Sequence, residues 1–240
     1  MRLDKFLCES NQGTRSQVKG LIRQGLVTVN GAVIKSPEYK VTENRDCVAL
    51  RGAPLQYQCF QYFMLNKPKG VVSATQDNTA RTVLDLLSPQ DRQEDLFPVG
   101  RLDKDTEGLL LVTNDGELTH RLLSPKRHVD KTYLVGVERP LLEEAVKALE
   151  QGMDIGEKRL TAPAQVRILK EKELLITIHE GKFHQVKRML QAVDNRVIFL
   201  KRISFGGLFL DESLEPGTYR ALTEQEVTIL HENSSGFSQS

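Results

Sequence analysis

Gly100-Arg101-Leu102-Asp103-Lys104-Asp105-Thr106-Glu107-Gly108-Leu109-Leu110-Leu111-Val112-Thr113 joins a charged loop to a run of strand formers. Two glycines bracket the loop, and backbone freedom at such positions lets a chain turn tightly and approach a ligand. The apolar run at 109–113 is short and is followed at once by Asn114-Asp115-Gly116, so it reads as a buried strand closed by a turn. A carboxylate set between Arg101 and Lys104 has cationic neighbours, a setting that favours its ionised form. The stretch lies near the middle of a 240-residue chain, where elements from both sides can support it.

Outward towards the C-terminus, a helix is expected through Leu122 and a strand at Lys131-Thr132-Tyr133-Leu134-Val135. Leu141, Leu142, Ala145, Val146 and Leu149 recur at helical spacing and predict an amphipathic helix over 141–150. Val166-Arg167-Ile168 and Leu174-Leu175-Ile176-Thr177-Ile178 are expected to pair across the charged turn Lys170-Glu171-Lys172. Val186, Met189, Leu190 and Val193 predict a helix, and 197–203 a strand leading to Gly206-Gly207. On the N-terminal side, Tyr62-Phe63-Met64-Leu65 is a strand candidate closed by Asn66-Lys67-Pro68-Lys69-Gly70, and 82–87 a short helix. Helices and strands interleave without the regular alternation of a doubly wound fold. The fold class is therefore α+β, with a mixed, mostly antiparallel sheet and flanking helices.

The N-terminal part is a module of its own. Leu3, Phe6 and Leu7 fall at helical spacing, as do Val18, Leu21 and Ile22, and Gly25 is placed to end the second helix. Val27-Thr28-Val29, Asn30-Gly31 and Ala32-Val33-Ile34 read as a tight hairpin, and Val48-Ala49-Leu50 as a further strand. Residues 52–60 lack periodicity and read as a linker. Domain boundaries are expected at 1–58, 59–232 and a disordered tail at 233–240.

Net charge is +1, but its distribution is uneven: residues 1–58 carry nine Lys and Arg against five acids. Arg15, Lys19 and Arg23, four residues apart, place a basic stripe on one helix face, which suits a polyanion and equally a solvated surface. Three cysteines with no CxxC pair read as neither a disulfide framework nor a zinc site. No apolar run approaches the ~18–20 residues of a membrane span, and the polar start does not resemble a signal peptide. A cytoplasmic protein without a membrane partner is expected.

Two motifs invite metal readings. Asp103-x-Asp105-x-Glu107-Gly108 begins like a calcium loop, but its twelfth position is Asn114 where a bidentate Glu is needed. His179-Glu180-Gly181-Lys182-Phe183-His184 is one residue too long to put both histidines on one helix face. No metal is expected.

What remains is Asp103, Tyr133 and the basic segment from Lys182 to Arg188. In this order they resemble the pseudouridine synthases: "GRLDKDTEGLLLVTNDG" is similar to the catalytic-loop motif, "KTYLV" to the tyrosine strand, and "EGKFHQVKRM" with "LKRISFGGL" to the later motifs. "RLDKFL" and "TRSQVKGLIRQGLVTVNG" resemble an S4-type RNA-binding module. With "YFMLNKP" the whole chain is similar to the RsuA-type branch, which modifies small-subunit ribosomal RNA. The resemblance implies an S4-like domain followed by a pseudouridine synthase catalytic domain. It implies isomerisation of a uridine in 16S ribosomal RNA, expected to be uridine 516, with no cofactor because the reaction has no redox change. A 23S enzyme of a sister branch and a non-catalytic assembly factor are the alternatives.

By the same resemblance Asp103 is the nucleophile, and attack at the sugar or at the base are both open. Tyr133 stacks on the base and sits near C5, and Lys187 is the cation beside Asp103, with Arg188 as the runner-up. Relatives often carry Arg at the place of Lys187, so a bidentate fork is lost. Asp105 is expected to be a turn residue. Arg101 is expected to handle the flipped nucleotide, and Leu200 to pack under the base. Lys182, His184, Arg15, Lys19 and Arg23 complete the expected RNA contacts. The expected partner is 16S RNA in a small-subunit assembly intermediate, met by a monomer.

Overall fold

The computed structural model describes residues 1–42, 46–55 and 60–235. The chain forms two compact units, Met1–Phe60 and Gln61–Ser240.

In the first unit, α1 (Leu3–Glu9) and α2 (Arg15–Arg23) precede β1 (Val27–Val29), β2 (Ala32–Val33), β3 (Val48–Leu50) and β4 (Ala53–Leu55). Thr14 caps α2 by accepting from the Gln17 amide, while the Gln17 side chain accepts from the Thr14 amide. That reciprocal pair satisfies two donors the helix start would otherwise leave open. Asn30 and Gly31 both take positive φ, the conformation a two-residue hairpin requires. Leu3, Phe6, Leu7, Val18, Ile22, Val27 and Val48 form the core. One expectation fails here. Part of the presumed linker is a strand, because Ala53–Leu55 pairs with β3 and completes a four-stranded sheet among the described residues. The rest of that linker, 56–59, lies outside the described residues.

The second unit holds β5 (Tyr62–Lys67), β6 (Phe97–Pro98), β7 (Glu107–Thr113), α3 (Gly116–Leu123), β8 (Lys131–Val137) and α4 (Glu143–Gln151). These are followed by β9 (Gln165–Lys170), β10 (Glu173–Ile178), α5 (Gln185–Ala192), β11 (Val197–Phe205), β12 (Leu208–Phe209), β13 (Tyr219–Ala221) and α6 (Glu224–Ser235). Among the described residues the strands make a nine-stranded sheet with the path β13-β5-β7-β11-β8-β10-β9. The strand pairs are antiparallel apart from β7 with β11, where Glu107 faces Lys201 and Gly108 faces Arg202. This is the mixed, mostly antiparallel sheet of an α+β fold.

Side chains alternate across the sheet and divide the core. Leu65, Leu110, Tyr133, Val135, Ile176 and Leu200 pack with Leu149 of α4 and Val186, Met189 and Leu190 of α5. Met64, Leu109, Leu111 and Phe205 pack with Leu118 and Leu122 of α3 and Leu230 of α6. The last helix corrects the expected tail. Thr223 and Glu226 form a capping box at its start, and Asn233 donates to the Gly206 carbonyl at 3.2 Å. Ser234 is fully buried and accepts from Arg121. Residues 236–240 lie outside the described residues.

Candidate active site

The loop quoted at the outset is held by its backbone. Lys67, expected beyond the end of its strand, instead closes β5 and is completely buried. Its ammonium donates to the carbonyls of Asp103 (2.9 Å), Thr106 (2.8 Å) and Pro68 (3.1 Å). Burial pushes its pKa down to about 8, and the nearby charges of Asp105 and Asp103 oppose that shift. On the other side, Ser73 Oγ donates to the Leu102 carbonyl and accepts from the Leu102 amide. Gly108 ends the loop at φ +100°, and a Cβ there would collide with the Arg202 carbonyl of β11. Glycine is what lets β7 lie so close to its parallel neighbour.

Asp103 therefore projects from a rigid base into a cavity of about 720 Å³. Lys187, one turn into α5, donates to Asp103 Oδ2 at 2.8 Å and to Asp105 Oδ1 at 2.6 Å. Burial disfavours the charge on Lys187, but the bonds to Asp103 and Asp105 outweigh it and raise the pKa. The same bond to Lys187 lowers the pKa of Asp105. Asp105 is thus more than the turn residue expected of it. An ammonium cannot grip one carboxylate through a planar fork, but its separate donors span two. His184 Nε2 stands 3.5 Å from Asp103 Oδ1 and its ring stacks on Phe183 with centroids 3.8 Å apart.

Tyr133 is on β8, one of the strands nearest the centre of the sheet, with 8% of its surface exposed. Its register partner on β11 is Arg202, and Leu200 pairs with Val135 two residues on. Paired residues share a face, so Tyr133, Leu200 and Arg202 form one side of the cavity. Arg101 is exposed on the cavity lining.

The structure thus gathers Asp103, Tyr133, Lys187, Arg101, Leu200, Lys182 and His184 around one cavity. Arg188 does not join them: it pairs with Glu157 at 2.7 Å and donates to the carbonyls of Phe183 and Ile155. Lying next to Lys187 on a helix, it points about 100° away, which rules it out as the cation beside Asp103. Lys182 also has a second task, donating to the Leu160 carbonyl at 2.8 Å. Arg15 and Arg23 are exposed on α2 of the first unit, and Lys19 leans to Asp4 at 4.0 Å.

Sequence reasoning missed Lys67, Lys131 and Arg202. All three are buried cations on strands, and a Lys or Arg in a strand carries no mark that tells a buried position from an exposed one. The Asn-Lys-Pro run at 66–68 was the available signal for the first.

Residues 61–192 match the RNA pseudouridylate synthase family, and residues 1–47 match the S4 domain. A Bacillus subtilis protein named an uncharacterized RNA pseudouridine synthase is 47% identical, over 97% of this chain and 99% of its own. The ribosomal small subunit pseudouridine synthase A of Vibrio cholerae is 46% identical, over 96% and 99%. A crystal structure of a pseudouridylate synthase superposes with a TM-score of 0.68 at 42% identity, covering 96% of this chain and 99% of that one.

Proposed function

Because the chain belongs to the RNA pseudouridylate synthase family, we propose that it converts one uridine of 16S ribosomal RNA, uridine 516 by its resemblance to the small-subunit branch, to pseudouridine. It is an RNA pseudouridine synthase, an isomerase with an S4 domain at its N-terminus. The observation that carries the chemical reading is the Asp103–Lys187 ion pair, seated in a cavity beside Tyr133 and Leu200. The choice of RNA is supported by near-complete similarity to enzymes named for the ribosomal small subunit.

The reaction breaks the bond from N1 of uracil to the anomeric carbon, turns the base, and joins C5 to the same carbon. Reaching that carbon requires the nucleotide to leave its stack. Asp103 attacks the anomeric carbon, as the nucleophilic carboxylate of a retaining glycosidase does. Lys187 fixes the direction of attack by holding one carboxylate oxygen. Tyr133 and Leu200 hold the uracil, with the Tyr133 hydroxyl beside C5, where a proton must leave. Arg101, exposed at the lining, pairs with the phosphate of the flipped nucleotide. His184 and Lys182 border the entrance on the α5 side. Arg15 and Arg23, with Lys19 behind them, meet phosphates elsewhere on the RNA. The enzyme works in the cytoplasm as a monomer, on a small-subunit assembly intermediate.

Asp103→Asn is expected to lower tritium release from C5-labelled uridine in 16S RNA by at least about a thousandfold while RNA binding changes little. Substantial turnover by that variant removes the nucleophile assignment. Pseudouridine mapping of both ribosomal RNAs in a deletion strain tests the substrate. Loss of a site in 23S RNA alone would refute the small-subunit reading.

A further inference from the structure

Two buried cations in the cavity lie outside the chemistry described so far. Lys131 and Arg202 are 8% and 2% exposed, and both line the cavity on the Tyr133 side. Each sits over the ring of Phe205, Lys131 at 5.5 Å and Arg202 at 4.8 Å from its centroid. They are close enough to repel: burial first, and then the charge of Arg202, brings the pKa of Lys131 down to about 8. Among the described residues neither forms an ion pair with a carboxylate. Lys131 donates to the Val129 carbonyl and Arg202 Nε to the Leu109 carbonyl; the Arg202 guanidinium also bonds the Tyr133 hydroxyl, while its Nη2 is buried without a partner. The two acids that act on Lys131 through space are engaged elsewhere. Asp130 is bonded to His179 at 2.5 Å, and Glu180 accepts from Gln185 and from the Ala162 amide.

Burying two like charges side by side, with a donor left open, is costly for folding alone. A negatively charged or strongly polarised oxygen arriving between them would offset that cost. We propose that Lys131 and Arg202 form an oxyanion site for the uracil ring of the substrate, binding its carbonyl oxygens while the base is detached from the sugar. This rests on the reading of the protein as a uridine isomerase. When the anomeric carbon bonds to Asp103, the electron pair of the old glycosidic bond leaves with N1. The departing base is then a monoanion whose charge spreads over N1, O2 and O4. When C5 bonds to the anomeric carbon the carboxylate is released, the C5 proton is lost and N1 gains one, so atoms and charge balance. Preorganised cations facing those oxygens lower the barrier where the negative charge is largest. A backbone phosphate belongs instead at the exposed rim, with Arg101. The site lies on the sheet beside Tyr133, where the base is held.

The test uses the full-length enzyme with Lys131→Met and Arg202→Gln, each checked for folding by thermal melting, and with Lys131→Gln as a second variant at the first position. Single-turnover loss of the parent nucleoside is followed in RNA carrying either uridine or 5-fluorouridine at the target. Fluorine itself stabilises the detached anion, so it substitutes in part for the cations. The expected result is a loss of about a hundredfold in rate on uridine, and of about tenfold or less on 5-fluorouridine, with RNA affinity within about threefold of wild type. Equal losses on both substrates, or an unchanged rate on uridine, overturn the proposal. So does weaker RNA binding with a flatter salt dependence at unchanged rate, which would place a backbone phosphate at these cations. Wild-type enzyme silent on 16S RNA but active on 23S RNA refutes the substrate reading alone, and the fluorine comparison is then made on 23S RNA.

Discussion

Lys187 carries a strain of purposes in a single ammonium group. It holds Asp103 and Asp105 together at 2.8 and 2.6 Å, so the nucleophile's orientation depends on a charge that a second carboxylate shares. Lys187→Met is expected to cost at least about a hundredfold in kcat, because the Asp103 carboxylate loses its aim and its charge partner. Lys187→Arg should retain more, within about tenfold of wild type, since its longer fork can still reach both acids. Steady-state kinetics on a 16S fragment separates the two. Lys131 makes a prediction with the opposite sense, about stability. Its pKa is about 8 in the folded chain and near 10.5 when unfolded, so between those values the unfolded chain holds more protons. Wild-type stability should therefore rise with pH across about 8 to 10.5, as the buried ammonium becomes neutral. Lys131→Met has no such charge, so its stability advantage near neutral pH, up to about 3 kcal/mol, should shrink over that window. Urea unfolding at a series of pH values reads the difference directly. An advantage that grew with pH would contradict the burial of this group.

At the scale of elements, the join between β7 and β11 depends on Gly108. Gly108→Ala would force a Cβ into the Arg202 carbonyl from a backbone at φ +100°, with an expected loss of about 3 kcal/mol or more. Thermal melting measures that loss, and a melting point unchanged from wild type would show that the strands can part there without penalty. Because Gly108 also faces the guanidinium-bearing residue of the cavity floor, activity should fall further than stability alone explains. Much of this architecture was legible in the chain. The apolar run at 109–113, the Asn30-Gly31 hairpin and the pair of strands around Lys170-Glu171-Lys172 are local signals, set by residues within a turn of one another. Asp103, Tyr133 and Lys187 were legible too, although only their order and their motifs pointed to a shared site. Less could be read where the cause is distant. Ala53–Leu55 has too little alternation to mark a strand, and exists because β3 offers it an edge. Lys67 looks like part of a turn until the carbonyls of a loop far along the chain surround it. The helix at Glu224–Ser235 is a different case, since Thr223-Glu224-Gln225-Glu226 is a capping-box sequence that was there to be read.

At the scale of the molecule, each of the two units has its own buried core, and each carries one part of the proposed task. The first unit should govern how tightly RNA is held and the second how fast uridine turns over. Replacing Arg15 and Arg23 together by Ala removes two exposed cations from α2. If both meet phosphates, the slope of log affinity against log salt should fall by about 0.7–0.9 for each, with kcat at saturating RNA unchanged. A binding isotherm series at several salt concentrations decides it, and an unaltered slope would make that helix face an ordinary solvated surface. Finally, the parallel pairing of β7 with β11 sets a timetable. Glu107 and Lys201 meet from roughly ninety residues apart, and a parallel join cannot form through a short hairpin, so closing it is entropically late. During synthesis on a ribosome, Asp103, Tyr133 and Lys187 all emerge before the strand that gathers them. The nascent chain thus carries its nucleophile, its tyrosine and its ion-pair lysine before it can act on the RNA of the machine that is making it.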